Sequence, residues 1–81
     1  MTQAEPLARA LDLLDRGDWQ GAHLVAQDHD DDEVAKWLHA VVHRMEGDDG
    51  NARYWYRRAD RAFPGASAVF EELSAARRAL G

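Results

Sequence analysis

The chain has 81 residues, 46% of them hydrophobic, and its fifteen acidic and ten basic side chains leave a net charge of -5. A chain this short makes one small domain that hides only about 60 to 65% of its unfolded surface, so most of its apolar residues are needed in the core. The acidic balance disfavours nucleic acid and anionic membranes as partners. The lack of cysteine excludes disulfides and thiolate metal sites and fits a reducing compartment.

Leu7, Leu11 and Leu14 fall at helical spacing with Ala10 and Leu13 beside them, predicting a first helix. Thr2 and Glu5 offer a capping box for it, and Pro6 is tolerated within a first turn. The opening Met1-Thr2-Gln3-Ala4-Glu5-Pro6 has no basic cluster leading into an apolar run, as a secretory signal would, so the cytoplasm is the expected location. No apolar segment approaches the roughly 20 residues that span a bilayer. Gly17 ends the first helix where a positive φ is cheap, and Asp18 caps the second, whose small inner face is Ala22, Val25 and Ala26.

The acidic run Asp28-His29-Asp30-Asp31-Asp32-Glu33 then breaks the pattern and sits where the dipole of a third helix, expected from about Asp32 to Glu46, is positive. The run is not a calcium loop, because Glu33 stands where the sharp turn needs glycine and His39 where a bidentate glutamate belongs. Gly47-Asp48 repeats the earlier corner, and Gly-Asp-x-x-x-Ala occurs at Gly17 and again thirty positions later at Gly47. A fourth helix is expected from about Asp49 to Ala62, stopped by Phe63-Pro64-Gly65. Val69, Phe70, Leu73, Ala76 and Leu80 predict a fifth, with Ser67 reading as its cap, Ser74 as surface, and Arg77 and Arg78 near its negative end. No stretch alternates like a strand, so the expected fold is all-α, with five helices in one domain over residues 1–81.

The second hairpin carries Gly47-Asp48, then Ala52, Tyr56, Ala59 and Pro64, with Ala40 where paired helices must approach closely. This spacing resembles the tetratricopeptide repeat family. The first hairpin shares Ala10, Gly17, Asp18 and Ala22 but has Ala26 in place of the aromatic residue and His29 in place of the later small one. Its period of thirty also departs from the family's 34. The resemblance implies two helical hairpins plus a capping helix and a role in binding proteins. The chain also resembles short uncharacterised bacterial proteins carrying Gly-Asp-Trp-x-x-Ala-His and Trp-x-His-Ala-x-x-His-Arg-x-Glu-Gly-Asp, which implies no activity. In the repeat family the concave wall binds peptides, in some members through a Lys and Asn carboxylate clamp. Here Leu7, Leu11, Leu14, Val34, Trp37, Val41 and Met45 make that wall apolar, which argues against a clamp and leaves it to the fifth helix, a second copy or a hydrophobic segment.

Two features stand out from this scaffold. Arg53, Arg57, Arg58 and Arg61 form a basic edge on the helix that carries Tyr54, Trp55 and Tyr56. Tyr56 suits the core, and Tyr54 and Trp55 cannot both turn inward with it, so Trp37, Tyr54, Trp55 and the four arginines are the expected contacts for a protein partner or a second copy as a homodimer. Second, at about 100° per residue His39 and His43 lie roughly 140° and 180° from Val34, off the apolar stripe and toward the seam with the fourth helix. Packing inside that seam is the simpler reading. A His23, His39 and His43 site, with Asp28 or Glu46, would suit zinc or nickel. No serine or cysteine is placed for nucleophilic catalysis, so the leading expectation is a non-enzymatic interaction module without a cofactor, with a small metal-binding protein as the alternative.

Overall fold

The computed structural model describes residues 4–29, 31–64 and 69–80. The expectations placed on Thr2, Asp30, Gly65 and Ser67 lie outside the described residues. All regular structure among the described residues is helical: α1 (Ala4–Asp15), α2 (Trp19–Asp28), α3 (Glu33–Glu46), α4 (Asp49–Arg58) and α5 (Val69–Leu80). None of these helices is long and apolar enough to cross a membrane.

The two glycine–aspartate corners are built alike. Gly17 and Gly47 have φ of 81° and 87°, a conformation that costs a side chain roughly 1 to 2 kcal/mol. At the first corner the Gly17 N–H donates to Leu14 O and the Asp18 N–H to Leu13 O; at the second, Gly47 donates to Arg44 O and Asp48 to His43 O. These are Schellman bonds, which satisfy carbonyls the helix leaves free. Asp18 and Asp48 then cap the following helices, their side chains accepting from the N–H groups of Gly21 and Asn51. Asp32 caps α3 by accepting from Val34 and Ala35, so the acidic segment serves as a helix start.

α4 is shorter than its sequence suggests. It ends at Arg58, not Ala62, because the chain turns at Asp60, whose φ is 60°. Asp60 N–H donates to Arg57 O and Arg61 N–H to Tyr56 O, so the Schellman pattern recurs without glycine, four residues before Pro64 could act as a stop. Aspartate is among the few residues that enter this region at moderate cost.

α1 packs on α2, α2 on α3 and α3 on α4, while α5 lies across α1 and α3. α3 is the central helix: eight of its fourteen residues are buried. Leu7, Leu11 and Leu14 of α1 meet Leu38, Val41 and Val42 of α3, Tyr56 of α4 and Leu73 of α5 in one core. Ala22, Ala40 and Ala52 are fully buried at the positions where small side chains let helices approach. Of the three occupants considered for the apolar wall of α1 and α3, it is the chain's own fifth helix that covers it. α5 buries Leu73 and Ala76 and half-buries Val69 and Leu80, a single stripe. Phe70, one of the residues that predicted this helix, is 73% exposed, because it stands one residue, about 100°, away from Val69.

A polar hub fastens α5. The Glu72 carboxylate accepts from the Trp37 indole N–H at 2.8 Å, from Arg44 at 2.7 Å and from the Tyr56 hydroxyl. Burial, and then the bond to Glu72, raise the Tyr56 phenol well above its ordinary range, so it stays a donor.

Candidate functional site

α3 supplies His39 and His43, one turn apart on one face, and α2 packs against that face with His23. The three rings form a cluster, with centroid separations of 4.5 Å between His23 and His39, 5.0 Å between His39 and His43, and 5.4 Å between His23 and His43. One ring nitrogen from each lies within 4.8 Å of the others. The Nε2 atoms of His23 and His39 are 3.0 Å apart, a distance at which one can donate to the other if their tautomers differ. Glu46, one turn beyond His43, holds the His43 Nδ1 with its carboxylate.

Trp55 closes the cluster from α4. Its ring stacks on His39 at 3.8 Å and 11°. His39 is 5% exposed, and its Nδ1 is buried with no hydrogen-bond partner among the described residues. Burial, reinforced by the positive charge that His23, His43 and Arg58 can bring, pulls its pKa from 6.5 down to about 4. His23, half-buried at the rim, is lowered by burial and by His43, with Glu46 acting against the shift. His39 is therefore a neutral imidazole at physiological pH.

α4 and the turn after it carry a ridge of exposed side chains. Tyr54 is 45% exposed, and Arg53, Arg57, Arg58 and Arg61 are all exposed. The guanidinium of Arg58 sits 4.8 Å from the Trp55 ring centre and donates to the Tyr54 hydroxyl at 3.2 Å. Arg53 stacks on Phe63 at 4.1 Å and Arg61 on Trp37 at 3.4 Å. Among the described residues none of these four guanidiniums has a carboxylate partner; the ion pairs found there belong to His43, Arg44 and Arg77.

The structure brings together His23, His39, His43 and Glu46 as the metal alternative supposes, while Asp28 stands apart beside Glu5 and Arg9. It corrects the contact set at Trp37. That indole is only 3% exposed, since it is spent on Glu72 and covered by Arg61. Trp55 is half-buried by its histidine, which leaves Tyr54 as the accessible aromatic residue of the ridge. Sequence reading gave no role to Arg44 or Glu72, whose partners lie on other helices. Their only local sign is a charged residue at a turn where the apolar stripe continues.

No family model, curated protein or solved structure matches the chain.

Proposed function

We infer that the chain is a non-enzymatic protein interaction module of the cytoplasm, a tetratricopeptide-like array of two helical hairpins closed by α5, which receives an acidic segment of a protein partner on the α4 ridge. The observation that carries this reading is the set of four exposed guanidiniums without carboxylate partners among the described residues, in a chain of net charge -5. Three of the four instead lie over aromatic rings. Stacking restricts the side chain while leaving its forked N–H donors unspent, which lowers the entropy lost when a carboxylate binds. α5 packs on α1 and α3, across the wall that peptides occupy in tetratricopeptide proteins, which supports α4 over that wall as the face for a partner.

The test is titration of a labelled Asp/Glu-rich peptide, followed by anisotropy and by backbone NMR shifts. Binding should map to α4, fall at least about tenfold between about 0.05 and 0.5 M salt as charge contacts are screened, and be lost in an Arg57→Glu/Arg58→Glu variant that still melts cooperatively. Equal binding of a neutral peptide, or binding that survives charge reversal, would remove the ridge from consideration. Light scattering over a dilution series separates a second copy from a foreign partner as the occupant.

A further inference from the structure

We propose that His23, His39 and His43 form a binding site for a late first-row divalent metal ion, with one coordination position left open. The ion would reach it past half-buried His23.

Ligand type comes first. Three imidazoles without thiolates suit zinc, nickel, copper or cobalt, whereas calcium and magnesium require oxygen ligands. An imidazole binds such an ion only through an unprotonated ring nitrogen, so affinity should fall as the pH is lowered.

Geometry comes next. Nitrogens bound to one tetrahedral ion at about 2.0 to 2.1 Å lie about 3.3 Å apart. The His23 and His39 Nε2 atoms already stand at 3.0 Å, and one ring nitrogen of each histidine lies within 4.8 Å of the others. Closing on an ion therefore asks for about 1.5 Å of ring movement at most, within reach of small torsional adjustments at a half-buried side chain.

Two further features distinguish this cluster from three histidines packed by chance. The Glu46 carboxylate on His43 Nδ1 fixes that ring's N–H outward and leaves Nε2 as the lone pair, the arrangement by which a carboxylate orients a metal-bound histidine. Trp55, stacked on His39, excludes water from one side and strengthens the electrostatic attraction there.

Chelator-stripped protein is titrated with zinc(II) and cobalt(II) at neutral pH by calorimetry and visible absorption. The expected result is saturable binding of one ion per chain, with the intense visible bands of low-coordinate cobalt. His23→Gln and Glu46→Gln, changes at sites that are not fully buried, should each weaken binding at least about tenfold while helical circular dichroism and cooperative melting persist. His29→Gln, outside the triad, should leave affinity unchanged. No saturable one-to-one binding in the parent, a loss below tenfold in His23→Gln, or an equal loss in His29→Gln would each overturn the proposal.

Discussion

Two buried polar clusters sit on different faces of α3, and they are finished differently. On the side facing α5, Glu72 accepts from Trp37, Arg44 and Tyr56, and side-chain exposures of 8% and 10% mark Arg44 and Glu72 as a nearly dry ion pair. On the side facing α2 and α4, His39 keeps one ring nitrogen with no partner among the described residues. A low-dielectric interior makes satisfied networks rigid and unsatisfied atoms costly. The hub therefore behaves as a fastener whose bonding capacity is used up within the chain. The histidine cluster retains capacity for something else.

That contrast is breakable by mutation. The largest effect belongs to the hub: Arg44→Met strands the Glu72 carboxylate in a dry site and should cost about 3 to 5 kcal/mol, read from the urea midpoint at constant slope. Adding Glu72→Leu should recover only part, since Trp37 and Tyr56 then lose their acceptor. A loss under about 1 kcal/mol for Arg44→Met would mean the hub is wet and the contrast false.

The next effect belongs to His39. Its pKa of about 4 lies below the ordinary 6.5, so between these values the unfolded chain takes up a proton that the folded chain refuses. Stability from this group is complete above pH 6.5 and declines as pH falls toward 4, by on the order of 2 to 3 kcal/mol. His39→Phe fills similar volume without an orphaned nitrogen, and should lie within about 1 kcal/mol of the parent at neutral pH and lack that part of the acid decline. Superimposable pH curves for the two proteins would show that His39 is not held neutral.

The smallest effect sharpens the comparison from outside. Arg77 also ties α5 down, bonding Asp12 at 3.1 Å and Asp15 at 2.7 Å of α1, but in water. Arg77→Ala should cost less than about 1 kcal/mol, and the difference should vanish in high salt. One helix is thus held by a dry anchor and a wet one, and only the dry anchor should matter to the midpoint.

Much of the scaffold was legible beforehand. The Gly17-Asp18 and Gly47-Asp48 corners stand where they were expected, and α3 begins one residue from its predicted start. The end of α4 was missed because Asp60 has no distinctive signature in the sequence, while Pro64 has a loud one. Phe70 helped to predict α5 yet stands off its buried stripe. In the candidate site, the i, i+4 histidines and Glu46 share one helix and were visible together. The Trp55 stack and the burial of Trp37 depend on how α4 and α5 meet α3.

From the sequence by itself one learns that this chain makes five helices joined twice by the same corner, because a positive φ and a capping carboxylate act over three or four residues. Which side chains become neighbours across sixteen to thirty-five residues was decided only by tertiary packing. Each such meeting depends on the rotation of a helix about its axis and the distance to the next one. Those quantities are set by the whole core at once, and the local pattern does not contain them.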